Sequence, residues 1–136
     1  MAKIERVTYF LANIDDRPGT LLRIMRDLKG KNINLAGLWG FATYEGKAQL
    51  YVVPKSPDKL RNEWKASGLL AEEGVGFLLK GADRAGALLT TLEALANAGV
   101  NMRAIDAVAV SGQFGSFIWV HAADEKKAAA ALGLKK

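Results

Sequence analysis

The chain has 136 residues, half of them hydrophobic and 24% charged, with a net charge of +5 and no cysteine. Disulfides, thiolate metal sites and cysteine nucleophiles are thereby excluded, and no apolar run approaches the roughly 18–20 residues of a membrane-spanning helix. Lysine and arginine are scattered rather than striped, so the positive charge reads as solvated surface and not as a nucleic-acid face.

Residues 7–14, Val-Thr-Tyr-Phe-Leu-Ala-Asn-Ile, are rich in aromatic and β-branched types and predict a central strand. The loop Asp15-Asp16-Arg17 follows, and Pro18 suits the first turn of a helix because its missing N–H is no loss there. Leu21, Leu22, Met25 and Leu28 recur at helical spacing, and Gly30 is the expected stop. Residues 33–44 form the next extended segment, with Ile33, Leu35, Trp39 and Phe41 sharing one parity. Glu45-Gly46-Lys47 predicts a hairpin turn, residues 48–53 the returning strand, and Pro54 its end, since proline cannot donate to a ladder. Ser56-Pro57-Asp58 opens a second helix carrying Leu60 and Trp64 one turn apart, which ends near Gly68. Within residues 69–81, residues 74–79 read as a strand.

The same order then recurs. Gly86 follows Gly19 by 67 residues, and at that offset Asp16 matches Asp83, Arg17 matches Arg84, Leu28 matches Leu95 and Asn34 matches Asn101. Residues 86–98 predict a helix, 100–111 an extended segment, Gly112-Gln113 a turn, 114–122 a returning strand, and 124–132 an alanine-rich helix with Asp124 as N-cap. One strand near residue 75 is expected to serve both halves. The second half lacks a closing strand of its own, which is absent or supplied by the first.

The expected fold is therefore α+β, two tandem ferredoxin-like βαββαβ modules at residues 1–72 and 73–136, the second without its own closing strand. Modules this small bury thin cores, so the halves are expected to pack together. Residues 1–6 carry no signal-peptide apolar stretch, and a cytoplasmic location is the expectation.

Asp-Arg-Pro-Gly-Thr-Leu at residues 16–21, followed by Asn-Ile-Asn-Leu at 32–35, resembles the ACT domain family, and Asp-Arg-Ala-Gly-Ala-Leu with Gly-Val-Asn-Met is a weaker second copy. The resemblance covers essentially the whole chain. It implies a regulatory module that senses an amino acid where two modules meet, with the first loop of one facing the second strand of the other. Carried onto this sequence, the ligand-binding candidates are Asp16, Arg17, Pro18, Gly19 and Asn34, with Asp83, Arg84, Gly86 and Asn101. The implied sites are crossed, loop 16–19 facing Asn101 and loop 83–86 facing Asn34. Ala85 replaces the proline of the first motif and leaves that loop less rigid. The chemistry is apt. A helix N-terminus suits a carboxylate, aspartate pairs with an ammonium, and asparagine both donates and accepts.

Plainer roles compete. Asp16 and Asp83 are also preferred N-cap residues, the two glycines also permit tight helix–sheet packing, the asparagines also suit turns, and the arginines also suit plain solvent exposure. His121, the only histidine, has no cysteine or second histidine with which to share a metal, and Trp39, Phe41, Phe117 and Trp119 read as packing aromatics. No phosphate loop or nucleophile elbow is present.

The expectation is a non-enzyme without cofactor or metal. It binds an amino acid, associates with itself, and regulates a separate enzyme or transporter, with neither nucleic acid nor membrane as partner. The alternatives are a protein–protein adaptor or an RNA-binding module on a ferredoxin-like fold, the latter weakened by the lack of basic residues beside Phe117 and Trp119. A small enzyme of the acylphosphatase kind would need an arginine- and glycine-rich phosphate loop, which is not visible.

Overall fold

The computed structural model describes residues 3–134. Strands and helices follow in the order β1 (Lys3–Asp15), α1 (Thr20–Gly30), β2 (Leu35–Ala42), β3 (Lys47–Pro54), α2 (Pro57–Ser67), β4 (Glu72–Ala82), α3 (Leu89–Asn97), β5 (Met102–Val110), β6 (Gln113–Val120) and α4 (Glu125–Ala131), the last preceded by a 3-10 turn at Ala122–Asp124. It is an α+β protein with antiparallel ladders, as composition and turn spacing predict. No helix among the described residues is long and apolar enough to cross a membrane.

Two compact units are present. One is Thr8–Gly74; the other joins residues up to Val7 to residues from Val75 onward. Both β1 and β4 are thus divided between units, at residues 7/8 and 74/75.

In the Thr8–Gly74 unit, β3 lies between β1 and β2, with Phe10 opposite Val52 and Trp39 opposite Tyr51. On the far side of β1, the Leu11 carbonyl accepts from the Ala71 N–H at 2.8 Å. Side chains alternate across strands with period two. Phe10, Ala12, Leu50 and Val52 therefore meet Ile24 and Leu28 of α1 and Leu60 and Trp64 of α2 in one core. Burying each large apolar side chain contributes about 1.5–3 kcal/mol. Tyr9 and Tyr51 take the opposite face, their rings 5.9 Å apart, and Phe41 stacks on Tyr51 at 5.9 Å.

In the other unit, β6 lies between β4 and β5, with Phe77 opposite Ile118 and Ile105 opposite Ile118 from the other side. Phe77, Leu79, Ile118 and Val120 meet Leu95 of α3 and Ala128 and Ala129 of α4, and Ile4 packs against them. Arg6 donates to Glu125 at the start of α4, holding the first residues of β1 to that helix. Trp119 meets the Phe117 ring edge-on, 4.3 Å between centroids.

Several local expectations change. The core stripe of α1 is Thr20, Ile24 and Leu28, while Leu21 and Leu22 are exposed. With the helix beginning at Thr20, a residue every four positions faces the sheet, and its neighbours are turned away by about 100° per residue. Pro18 lies before the helix, whose N-cap is Gly19. Gly30 is helical, and the stop is Asn32, left-handed at φ 56°. There the Ile33 N–H reaches the Leu28 carbonyl at 2.9 Å and the Asn32 N–H reaches Lys29 at 3.0 Å, the paired bonds of a Schellman cap. The same cap closes α3, where Gly99 is left-handed and the Val100 N–H reaches Leu95 at 2.9 Å.

The predicted helix over residues 86–98 is shorter, Leu89–Asn97. Residues before it form tighter turns, with the Ala87 N–H on Arg84 and the Leu89 N–H on Gly86. Alanine at position 85 does not preset φ as proline would. Asp124 stands at the N-cap of α4, but its side chain makes no cap bond; its carboxylate faces Lys127 at 3.6 Å instead.

The parity expected over residues 33–44 breaks at a bulge. Leu35 opposes Pro54 while Gly37 opposes Val53, so one residue is extra on β2. A one-residue shift reverses every side chain beyond it. Leu35 accordingly packs with the helices, and Phe41 stacks on Tyr51 on the other face. The bulge recurs 67 residues later, where Met102 opposes Val120 and Ala104 opposes Trp119.

Candidate functional site

The first strand–helix loop is built between β1 and α1. Its floor is the Asp16 N–H, which donates to the Gly46 carbonyl in the β2–β3 hairpin at 2.7 Å. That hairpin turns through Glu45 and Gly46, both with positive φ (56° and 72°), the two-residue turn that matches strand twist. Asp16, Arg17, Pro18 and Gly19 are all exposed. Gly19 has φ 89°, and a Cβ added there would meet nothing within 4 Å. Glycine is therefore needed for its conformation and not for helix–sheet packing. No side chain caps α1, so the N-cap role for Asp16 is not observed, and the helix presents a partial positive charge at an open end.

An open cleft of about 360 Å³ lies beside this loop. Asp15, Asp16, Arg17 and Thr20 line one end, and Leu38 and Phe41 of the edge strand β2 line the wall. Asp15 is the electrostatic centre. Its carboxylate accepts from Lys47 Nζ at 2.9 Å and from Arg17 at 3.1 Å. The hydrogen bond and charge of Lys47, then the charge of Arg17, hold its pKa below the ordinary aspartate value. Sequence reasoning puts Asp15 in the loop and Lys47 in the hairpin turn and does not pair them. The signal was their register, directly opposite each other on β1 and β3.

Asn34 is exposed just before β2, and its carbonyl accepts from the Lys55 N–H at 2.9 Å. It lines a different cleft, about 410 Å³, with Met25, Lys29 and Asn32 at the far end of α1. Within this unit, then, Asp16 and Asn34 are not brought together.

The second loop repeats the floor bond, the Asp83 N–H donating to Gly112 at 3.0 Å. Asp83, Arg84 and Gly86 are exposed, Gly86 has φ 73°, and no side chain caps α3. Asp83 and Gly86 line an open cleft of about 520 Å³ whose other walls are Leu88, Leu89, Leu92, Val108 and Phe114. Arg84 lines a smaller cavity of about 140 Å³ with Thr91 and Ala131. Asn101 is exposed immediately before β5.

His121 is exposed after β6. Among the described residues, no group of three histidine, aspartate or glutamate side chains is placed to hold a metal.

No family model matches the sequence, and no curated protein is similar to it. Solved structures are. A protein of Bacteroides thetaiotaomicron superposes with a TM-score of 0.80 at 20% identity, over 96% of this chain and 88% of that one. The ligand-free regulatory subunit of aspartate kinase from Thermus thermophilus gives 0.63 at 14% identity, over 97% and 94%. The regulatory subunit from Thermus flavus gives 0.60 at 17%, over 98% and 94%.

The chain shares its fold with these regulatory subunits of aspartate kinase. Identities this low establish the fold alone, and function has to be argued from the clefts. What this fold supplies here is a pair of strand–helix loops. Each is tied to a hairpin by an aspartate N–H, each carries a left-handed glycine, and each opens onto a helix end with no side-chain cap.

Proposed function

We propose that this chain is a non-catalytic regulatory ACT protein that binds an amino acid and acts on a separate enzyme or transporter. It is read as two tandem βαββαβ modules, residues 3–7 of β1 serving as the strand that the second lacks. The observation that carries the reading is the cleft at the first loop. There an uncapped helix start, a left-handed glycine, the Asp15 and Asp16 carboxylates and the Arg17 guanidinium offer both signs of charge to one small space.

A free amino acid carries a carboxylate and an ammonium on one carbon. Both lose water on binding, and each must find a charged or hydrogen-bonding partner. Backbone N–H groups at a helix start, with Arg17, suit the carboxylate, and Asp16 suits the ammonium. Pro18 and Gly19 hold that loop in shape. Asp83, Arg84 and Gly86 are the corresponding proposal on the second loop, and Asn34 and Asn101 the proposed polar contacts ahead of the second strand of each repeat. The kinship in fold with regulatory subunits supports action on a partner chain, in the cytoplasm and as a homo-oligomer.

Thermal unfolding of the protein against the twenty amino acids, each at millimolar concentration, tests the reading. A ligand at 100 times its dissociation constant adds about 2.7 kcal/mol of stability. A selective rise in Tm for one or a few amino acids, abolished in Asp16→Ala, is the expected result. No shift for any of them would defeat it.

A further inference from the structure

The two clefts share one plan and differ in chemistry. In the Thr8–Gly74 unit, Asp15 faces Lys47 across the ladder and Thr20, only 8% exposed, lines the same cleft. In the other unit the equivalent cross-strand pair is Ala82 and Gln113, and Ala87 stands where Thr20 does. The ion pair and the buried hydroxyl are both gone. What is left around the second cleft is hydrocarbon, with Asp83 at its rim, while Arg84 lines a separate cavity.

A zwitterion placed in the second cleft would find one carboxylate and no cation among the residues that line it. Its own carboxylate would lose water without compensation, which is unfavourable. The first cleft supplies both signs and a hydroxyl at its loop end. Its exposed apolar side chains on the helix face, Leu21 and Leu38, offer nothing to a charged side chain and good contact to an apolar one.

We propose that one amino acid binds per chain, in the cleft of the Thr8–Gly74 unit, and that its side chain is apolar. This rests on the amino-acid reading above and narrows it to the first loop, leaving Asp83, Arg84 and Gly86 without a ligand of their own. The second loop keeps the backbone plan of the first and has lost the polar groups that a zwitterion needs.

Isothermal titration of the full chain with L-leucine, L-valine, L-phenylalanine, L-aspartate and L-lysine tests this. The expected result is one ligand per chain, tightest for the apolar group. Arg17→Gln weakens binding by about tenfold, as expected for the loss of a charged partner, and Gln113→Ala leaves it unchanged. Two ligands per chain, tightest binding of aspartate or lysine, or equal losses from Arg17→Gln and Gln113→Ala would overturn the proposal and leave the amino-acid reading standing. Failure of all twenty amino acids to raise Tm in the thermal-unfolding screen would overturn both.

Discussion

The ring of Phe117 lies across Gly76, so near that a Cβ added to Gly76 would sit 2.2 Å from its Cζ. Phe117 is fully buried, and the Ile118 carbonyl lies 3.0 Å from the same point. Neither neighbour can yield cheaply. Gly76→Ala therefore costs about 2 kcal/mol through overpacking, lowering Tm by roughly 5–8 °C. Differential scanning calorimetry would read the change, and a Tm within a degree of the parent would contradict the contact.

Gly30 and Gly99 respond to alanine with opposite signs. Gly30 is helical and a Cβ there meets nothing within 4 Å, so Gly30→Ala stabilises by about 0.5–1 kcal/mol. Gly99 holds φ 73° at the end of α3, where an L side chain is strained, and Gly99→Ala costs about 1 kcal/mol. Denaturant midpoints of the two variants would settle it. Matching signs would mean that the α1 stop lies at Gly30 after all.

Asp106 on β5 makes stability depend on pH. Its Oδ1 accepts from the Phe117 N–H at 2.9 Å, while Oδ2 is shut off from solvent with no hydrogen-bond partner. Burial raises its pKa, opposed by the Phe117 bond. A carboxyl with a higher pKa folded than unfolded favours folding at low pH. It costs stability as pH rises through the unfolded value, near 4, up to the folded one. Asp106→Asn keeps an acceptor for Phe117 and carries no charge, so its stability falls less than the parent's over that rise. Parallel urea midpoints at stepped pH values in both proteins would show the difference, and coincident slopes would remove the role.

Asp15 behaves in the opposite sense. Lys47 and Arg17 hold its pKa down, so the stabilisation they lend is complete above the unfolded value and is lost as pH falls through the folded one. In Lys47→Ala the Asp15 carboxyl titrates closer to ordinary aspartate. Carbon-detected NMR titration of the side chain would follow this, and an unchanged midpoint would show that Lys47 does not set it.

The sequence by itself determined the repeat and most of its consequences. An offset of 67 residues carried through Gly19 and Gly86, Leu28 and Leu95, and Asn34 and Asn101, and the hairpins, the Trp64 helix and the strand order were legible from turn residues and period. These are local properties, set by backbone preference within a few residues. Tertiary structure alone decided what depends on pairing. The extra residues of β2 and β5 at the two bulges reverse which side chains face the helices, and no local preference marks them. The α1 face turned toward the sheet follows from where Gly19 starts the helix and not from the leucines. The Asp15–Lys47 pair arises because the chain, 32 positions on from Asp15, returns to the same rung. Only a folded ladder brings the two halves of that pair together.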